Sequence, residues 1–362
     1  MASGLEARAR FLLAQADIEL NGRREWDITV HNPSFFARVL RQGSLGLGES
    51  YMDGWWECPR LDEFFARIFA AKLDRTAGHN LQALALTAVS ALFNQQSKAK
   101  STQVAKRHYD VGNDLFQAML DRRMVYTTGR WEQAADLDEA QEAKLDFVCS
   151  KLELAPGMRV LDIGCGWGGF ARFAAERYGV QVDGVTLSRE QAALGRELCA
   201  GLPVELRVED YREVSAQYDR VVSLGMFEHV GHKNYRSYFE VAHRCLAPDG
   251  RMYLATIGSN HTVRSTDPWI ERYIFPNSHL PSIQQIGAAI ADRFALIEWH
   301  NWASDYDRTL MAWHENFAAQ WPRWAACYGE RFCRMWRFYL LSSAAAFRAK
   351  HLQVWQVVLE GI

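Results

Sequence analysis

The chain has 362 residues, of which 49% are hydrophobic and 23% charged, and its formal net charge is −2. This composition is typical of a globular protein with room for two domains, and the near-zero charge predicts no nucleic-acid partner. The sequence has no signal-peptide pattern and no apolar run of the about 18 residues that a membrane span needs, which predicts a soluble or at most peripheral protein.

Residues 8–16 and 35–40 favour helices, and residues 27–30 favour an extended segment. A glycine-rich run over 43–48 follows the second of these helices. The first 75 residues therefore mix short helical and extended patterns.

An Ala/Leu-rich pattern over 79–92 predicts a further helix, and the polar residues 95–103 predict a linker. We therefore expect an N-terminal domain over residues 1–95 and a larger domain over residues 96–362.

In the second domain, helical and strand patterns alternate. A helix is expected from Leu137 to about Leu152, another over Phe170–Tyr178, and a third from Ser188, where Gln191 completes a capping box. Strands are expected at Arg159–Ile163, Val180–Leu187, Glu205–Val208, Arg220–Leu224 and Arg251–Thr256. This alternation predicts an α/β fold with a doubly wound parallel sheet, which binds ligands at the carboxyl ends of its strands.

The seven cysteines form no Cys-x-x-Cys pair and have no zinc-ligand spacing, so we expect no metal site. Most of them fall within helical or strand patterns, which indicates buried, reduced thiols and a cytoplasmic location. The 13 tryptophans indicate either large core residues or an aromatic pocket or membrane-facing surface.

The residues from 159 to 169 are the most informative segment. A buried-strand pattern ends at Asp162-Ile163, and a glycine-rich turn follows before the next helix. Glycines allow backbone dihedrals that a side chain would forbid and let the backbone approach a ligand closely. An acid directly before them suits a ligand with hydroxyl and ammonium groups and repels a pyrophosphate. The turn therefore predicts a site for S-adenosylmethionine (SAM).

The same residues also match the dinucleotide motif Gly-x-Gly-x-x-Gly through Gly164, Gly166 and Gly169. A dinucleotide enzyme needs an acid at the end of the second strand for the ribose. Asp183 has a suitable spacing but lies inside the predicted strand. After the third strand, Asp210 and an adjacent tyrosine offer an acid and an aromatic ring for an adenosyl group, although Asp210 also fits a solvated loop. We therefore favour SAM over a dinucleotide.

Longer stretches resemble the cyclopropane-fatty-acid-phospholipid synthase family over nearly the whole chain. They are Gly43–Cys58, His108–Phe116, Val160–Gly169, Gly225–Gly231, Asp267–Ile270 and Leu310–Trp313. Because the first stretch falls in the N-terminal domain, the chain resembles the long bacterial form that acts on membrane phospholipid. The resemblance implies a Rossmann-like class I methyltransferase sheet with a smaller, mainly helical N-terminal domain.

The resemblance also implies SAM as methyl donor, an unsaturated acyl chain of a phospholipid as acceptor, and a cyclopropane ring as product. The residues that it assigns to SAM binding are Tyr126, Thr127, Asp162, Gly164, Cys165, Gly166, Trp167, Gly168, Thr186, Leu187, Ser188, Gln191, Asp210 and Tyr211.

Ring closure requires a base in a pocket dry enough to keep water from the intermediate carbocation. In the family that base is a bicarbonate held by a glutamate, a tyrosine, a histidine and a cysteine. The resemblance assigns Glu228 and Tyr306 to this site and places Ile257 there as well. His229, next to Glu228, is expected to be structural.

Three positions depart from the family pattern. Thr128 replaces a cysteine, Ala255 replaces a histidine, and Ser343 replaces a third family residue, a cysteine near the C-terminus. Thr128 still carries a hydrogen-bond donor, whereas Ala255 does not, and one hydrogen bond to a charged group is worth about 1.5–3 kcal/mol. Two outcomes stay open: another group compensates and a cyclopropane forms, or the cation becomes a methyl- or methylene-branched product.

The lipid substrate implies a peripheral protein on the inner face of the membrane. Leu45, Leu47, Trp55 and Trp56, near Arg60, are expected either to contact a bilayer or to pack between the two domains. The resemblance also implies a homodimer.

Two other functions stay open. A SAM enzyme for a small soluble acceptor such as an amine is disfavoured by the N-terminal domain and the many aromatic residues. A lipid-binding protein without catalysis is suggested by Thr128, Ala255 and Ser343, but Glu228 and Tyr306 argue against it.

Overall fold

The computed structural model describes residues 2–76, 112–263 and 266–362. The predicted helix over 79–92 and the predicted linker over 95–103 lie outside these residues, as do the predicted domain boundary and the first residues of the His108–Phe116 motif.

The chain divides into two compact units, and each draws on several stretches of sequence. Unit 1 comprises Met1–Phe93, Arg264–Pro276 and Leu310–Leu352, and unit 2 comprises Asn94–Val263, Asn277–Thr309 and Gln353–Ile362. A single boundary was predicted at residue 95, and the later segments that join unit 1 were not predicted.

The elements are numbered in chain order. The α-helices are α1 (Ala2–Ala14), α2 (Ser34–Gln42), α3 (Ser44–Met52), α4 (Leu61–Ala70), α5 (Leu73–Thr76), α6 (Asn113–Met119), α7 (Leu137–Lys151), α8 (Gly169–Tyr178), α9 (Arg189–Leu198), α10 (Tyr235–Cys245), α11 (Pro268–Tyr273), α12 (Ile283–Ile290), α13 (Ala303–Ala319), α14 (Trp321–Tyr328) and α15 (Glu330–Arg348). The strands are β1 (Thr29–Val30), β2 (Trp56–Glu57), β3 (Arg159–Ile163), β4 (Gln181–Thr186), β5 (Val204–Val208), β6 (Tyr218–Leu224), β7 (Leu246–Gly258), β8 (Phe294–Asn301) and β9 (Gln353–Gly361).

Unit 2 is built on a seven-stranded sheet with the order β5-β4-β3-β6-β7-β9-β8. The first five strands are parallel, and β9 pairs antiparallel with both β7 and β8. The five parallel strands were all predicted, β3 with its observed bounds. The antiparallel strands β8 and β9 were not predicted. Because β3 to β6 run parallel, the loops that follow them lie at one edge of the sheet.

Both faces of this sheet are covered, which explains the continuous apolar runs of its central strands. Leu161 and Ile163 of β3 belong to the core cluster that includes residues of α10 and α12. Val160 faces the other side, where the cluster includes residues of α7 and α8. The predicted doubly wound α/β architecture is confirmed.

Unit 1 is mainly helical, with β1 and β2 as a short antiparallel pair. Helix α15 packs against α3 and α4, and the ring of Phe338 lies 5.6 Å from Tyr51 and 5.0 Å from Phe65. Arg334 of the same helix donates to the carbonyls of Tyr51 and Trp56, at 2.6 and 3.0 Å. Helix α15 therefore supports unit 1, although it follows the first stretch of the unit by more than 200 residues.

Helix α3, which was not predicted, begins at Ser44 and contains most of the glycine-rich run over 43–48. A side-chain carbon at Gly46 would lie 2.6 Å from the Arg38 carbonyl oxygen, and one at Gly48 would overlap the ring of Trp269. These glycines therefore allow close packing in a helix and do not interrupt it. Helix α1 also differs, since it begins at Ala2 and the prediction began at residue 8.

Two of the four apolar residues considered for bilayer contact are buried. Trp56 is fully buried, its Nε1 donates to the Leu47 carbonyl at 3.1 Å, and its ring packs against Tyr51 and Phe64. Leu45 is also buried. Of the two alternatives for these residues, bilayer contact is therefore excluded for Leu45 and Trp56. Within the described part of the chain, no helix combines the length and apolar character needed to cross a bilayer.

Candidate active site

The turn after β3 has a backbone that glycine adopts most readily. The φ angle is +87° at Gly164, +55° at Gly166 and +79° at Gly168, all in the left-handed region. A side-chain carbon at Gly164 would lie 2.6 Å from Cβ of Met226, whereas nothing stands within 4 Å of one at Gly166. The turn is thus packed against the segment after β6 and open at Gly166, as a ligand cradle requires.

Asp162 lies in β3 just before this turn and is almost fully buried. Burial raises its pKa, and the Lys144 ammonium group opposes that shift. Lys144 of α7 is also buried, which lowers its pKa against the attraction of Asp121 and Asp162. Its Nζ donates to Oγ1 of Thr127 at 2.9 Å. An acid and an amine therefore share a dry site next to the glycine turn.

Tyr126 and Thr127 are held close to the carboxyl end of β6. Gln141 of α7 donates to the Thr127 carbonyl at 2.8 Å. A side-chain carbon at Gly225 would lie 2.7 Å from Cγ2 of Thr127, and the Tyr126 ring packs edge-on against Phe116 with 5.2 Å between centroids. These contacts hold both residues near the turn.

Sequence reasoning missed Gln141 and Lys144, although a signal was present. Leu145 and Val148 are buried on α7, and Gln141 and Lys144 lie on that same face. Polar residues on a buried face are rare unless they are paired. This exception to the apolar pattern could have identified them.

The end of β4 carries a small hydrogen-bonded group. Ser188 Oγ accepts the Gln191 N–H at 3.2 Å and thus caps α9. The predicted capping box is only half formed, because the Gln191 side chain accepts a hydrogen bond from the Thr186 hydroxyl at 3.2 Å. The Ser188 N–H donates to that same hydroxyl oxygen. Leu187, between these residues, is half-buried.

The loop after β5 places Asp210 and Tyr211 at the same edge of the sheet. Arg212 engages the Asp210 carboxylate through its backbone N–H at 3.0 Å and its Nε at 2.8 Å. Burial raises the pKa of Tyr211 to about 12, so its phenol stays neutral. Asp183 lies inside β4, where it accepts the Tyr218 hydroxyl at 2.8 Å. Asp183, the acid that dinucleotide binding would require, is therefore already hydrogen-bonded within the sheet.

Cys165 and Trp167, within the turn, are both buried. Burial raises the pKa of the Cys165 thiol, so this cysteine is no nucleophile at neutral pH. Trp167 donates through Nε1 to Oδ1 of Asn113 at 2.9 Å, and its ring lies 5.0 Å from that of Phe116. The Trp167 indole therefore links α6 to the turn.

Glu228 lies on the short 3₁₀ segment Phe227–His229, which follows β6. Its Oε1 accepts the Ile257 N–H of β7 at 2.6 Å, and its buried Oε2 has no hydrogen-bond partner among the described residues. Burial raises the pKa of Glu228 to about 7, against the stabilising Ile257 N–H. The site therefore holds a carboxyl group that is partly protonated near neutral pH.

Tyr306 and Thr128 are positioned by one helix. Tyr306 is buried on α13, and Thr309, one turn later, accepts hydrogen bonds from the Gly129 N–H at 3.0 Å and the Trp131 indole at 2.9 Å. The segment that contains Thr128 is thereby fixed to the helix that carries Tyr306. The Thr128 hydroxyl itself donates to the Gly129 carbonyl at 3.0 Å, so the predicted spare donor is engaged within its own loop.

Ala255 lies on β7, two residues before Ile257. Its carbonyl accepts the Gly225 N–H at 2.9 Å, and its methyl group belongs to the core cluster on the α7 side of the sheet. His229 is buried, which lowers its pKa to about 4. A histidine with so low a pKa is a weak base.

The residues around Glu228 fit the bicarbonate implied by the resemblance. A carboxyl group with a pKa of about 7 can donate its proton in a hydrogen bond to an anion, and its Oε2 is buried without a partner among the described residues. No group of three or more His, Cys, Asp or Glu residues in the described ranges is arranged to hold a metal ion.

Comparisons with known proteins point to one family. The family profile for mycolic acid cyclopropane synthetase matches residues 96–357. The chain is 53% identical over 350 residues to the cyclopropane-fatty-acyl-phospholipid synthase of Escherichia coli strain K12, which covers 97% of this chain and 92% of that protein.

Two solved structures agree with this match. The cyclopropane synthase MmaA2 from Mycobacterium tuberculosis is similar with a TM-score of 0.68 and 31% identity, over 72% of this chain and 98% of that one. The mycolic acid cyclopropane synthase CmaA1, complexed with SAH and CTAB, gives a TM-score of 0.68 and 32% identity over the same shares. The predicted methyltransferase fold is confirmed.

Proposed function

The chain belongs to the mycolic acid cyclopropane synthetase family and is a SAM-dependent methyltransferase, and we propose that it converts the double bond of an unsaturated phospholipid acyl chain into a cyclopropane ring. The observation that carries this proposal is the buried Glu228 carboxyl, held by the Ile257 N–H at the sheet edge that also bears the glycine turn. The 53% identity to a phospholipid-modifying relative supports the acceptor class.

The residues of the turn suit SAM, which supplies an electrophilic methyl group on a sulfonium. Asp162 offers an acid to hydroxyl or ammonium groups, and the open position at Gly166 lets the backbone approach a ligand. An isolated alkene is a poor nucleophile, so much of the rate must come from holding the acyl chain in line with that methyl group.

Glu228 and Tyr306 are proposed to hold the base, with Ile257 fixing the Glu228 carboxyl. A bound bicarbonate would supply the group that removes a proton from the transferred methyl. The burial of Glu228 and Tyr306 supports a site from which water is excluded, so that the carbocation closes to a ring before water captures it. Aromatic faces near an acyl chain would stabilise that cation.

A branched product is the main alternative, and it rests on Thr128 and Ala255. The Thr128 hydroxyl donates to a carbonyl of its own loop, and Ala255 has only a methyl group. If nothing compensates for these two departures, base binding weakens and the cation can lose a different proton. A small soluble acceptor is a more distant alternative, which unit 1 and the relatives disfavour.

We further propose a cytoplasmic, peripheral association with the inner face of the membrane through unit 1. Phe11 on α1 and Leu40 on α2 are exposed apolar side chains, at 69% and 39% exposure, and Arg8 and Arg41 near them carry positive charge. A homodimer is proposed from the family resemblance, and sedimentation velocity of the full chain tests it.

The acceptor class is tested by label transfer. Purified protein is incubated with methyl-labelled SAM and vesicles of either a cis-unsaturated or a fully saturated phosphatidyl lipid. We expect label in the acyl chains of the unsaturated vesicles only. Label in neither lipid, with SAM binding intact, would refute lipid methylation.

A further inference from the structure

Three residues form a row across the antiparallel side of the sheet in unit 2. Ala255 of β7 and His300 of β8 are both register partners of Gln356 on β9. Directly opposed residues project to the same face, with their Cβ atoms about 4.5–5.5 Å apart. The Gln356 side chain therefore lies beside the Ala255 methyl group, on the face that α7 covers.

The Gln356 carboxamide is buried, with 1% exposure, and it is fixed at one end only. Its Oε1 accepts the Tyr253 hydroxyl at 2.8 Å, and Tyr253 precedes Ala255 by two residues on the same face of β7. This bond turns the amide nitrogen away from Tyr253. The buried Nε2 has no hydrogen-bond partner among the described residues.

Buried donors of this kind are almost always satisfied, since an unpaired one costs about 1–3 kcal/mol. The nitrogen of Gln356 carries two N–H donors and no acceptor, so its missing partner must be an acceptor. The row that contains it lies close to the candidate site, because the Ala255 carbonyl binds the Gly225 N–H and the Ile257 N–H binds Glu228.

Resting on the proposed function, we propose that the Gln356 amide N–H donates to the small oxyanion that serves as base, from the position next to Ala255. At position 255 a methyl group leaves room for a side chain that reaches across from β9. The carboxamide thus compensates for the imidazole that this chain lacks. Gln356 is then a base-binding residue, and Tyr253 is the positioning residue that orients its amide.

The test measures bicarbonate binding to the SAM-bound full chain by the line width of ¹³C-bicarbonate in NMR titrations. We expect Gln356→Ala to weaken binding about ten- to hundredfold. Gln356→Glu should weaken it at least as much, because it replaces the donor by a like charge. Glu360→Gln, at the far end of β9 where Glu360 pairs with Arg251, is the matched control and should bind as the wild type does. Unchanged SAM affinity shows that each variant is folded.

A second set of variants places a histidine at position 255. In the Gln356→Ala background, Ala255→His should recover most of the lost bicarbonate affinity, whereas in the wild-type background it should change the affinity less than about threefold. Tyr253→Phe, which releases the amide, should give an intermediate loss. Wild-type affinity in Gln356→Ala, or no bicarbonate binding by the wild type, would overturn the inference. The bicarbonate titration requires no turnover, so it tests the role of Gln356 alone. The label-transfer assay tests the proposed function independently.

Discussion

Glu228 is bound to the backbone N–H of Ile257 at 2.6 Å through one carboxyl oxygen, while the other is buried without a partner in the described part of the chain. Burial raises the pKa of this carboxyl from its ordinary 4.5 to about 7. Between these two values the folded protein keeps the proton that the unfolded chain loses, so stability must fall as the pH rises and level off above about 7.

Replacing Glu228 with glutamine should remove this pH dependence. Glu228→Gln keeps an acceptor for the Ile257 N–H but has no ionisation to suppress, so it should be more stable than the wild type at pH 8 by up to about 3 kcal/mol. The difference should shrink towards pH 5. Urea unfolding at pH 5, 6, 7 and 8 measures it, and an equal difference at every pH would show that the buried carboxyl is not the cause.

Gly164 and Gly157 form a matched pair for testing the cradle. Both have φ of +87°, but a side-chain carbon would crowd Met226 at Gly164 and meet nothing within 4 Å at Gly157. Gly157→Ala should cost about 1 kcal/mol from backbone strain alone. Gly164→Ala should cost about 2–4 kcal/mol and lower SAM affinity as well.

Thermal unfolding and calorimetric SAM titration read out both variants. Equal losses in Gly164→Ala and Gly157→Ala would mean that contact with Met226 does not shape the turn.

Thr309 connects the loop of Thr128 to the helix of Tyr306. Thr309→Val should leave the Gly129 N–H and the Trp131 indole without their acceptor, at a cost of about 2–5 kcal/mol. We expect a lower kcat with a smaller change in SAM affinity, because Gln141 and Lys144 still hold Thr127 beside the glycine turn. Thr309→Ser, which keeps the hydroxyl, is the control and should behave as the wild type. A normal kcat in Thr309→Val would exclude this positioning role.

Membrane association should depend on the exposed apolar residues of unit 1. Phe11→Ser and Leu40→Ser each remove a side chain whose burial in lipid is worth about 1.5–3 kcal/mol, so each should lower vesicle partitioning about tenfold. Ile283→Ser, at an exposed position of unit 2, is the control and should have no effect. Co-sedimentation with anionic phospholipid vesicles measures all three. Equal loss in the control, or no binding by the wild type, would contradict the role of unit 1.

The parallel part of the sheet could be predicted because each strand is short, apolar and followed by a turn signal. The pattern over Arg159–Ile163, followed by glycines, predicted both a strand and a SAM-binding turn after it. By contrast, helix α3 was not predicted, because the close packing that its glycines allow depends on neighbours such as Trp269, which is far from Gly48 in sequence. Local sequence propensity carries no information about such a long-range contact.

The candidate site likewise has parts that could be predicted from the sequence and parts that could not. The loops at the strand ends followed from the topology, and Glu228 was identified through the family motif. The partner of its carboxyl, the backbone of Ile257, depends on the pairing of β6 with β7. Gln356 was missed because only the register of β9 against β7 brings it beside Ala255. A side chain's unused hydrogen-bond donor becomes visible only in three dimensions.

Proton NMR of the acyl chains recovered after turnover distinguishes ring formation from branching. Vesicles of a cis-unsaturated phospholipid are treated with the protein and SAM, and the extracted lipid is examined for the product. We expect high-field cyclopropane ring protons, formed with loss of the olefinic signal. Olefinic methylene or branched methyl signals in their place, with label transferred from SAM, would contradict ring formation and assign the chain the branched chemistry.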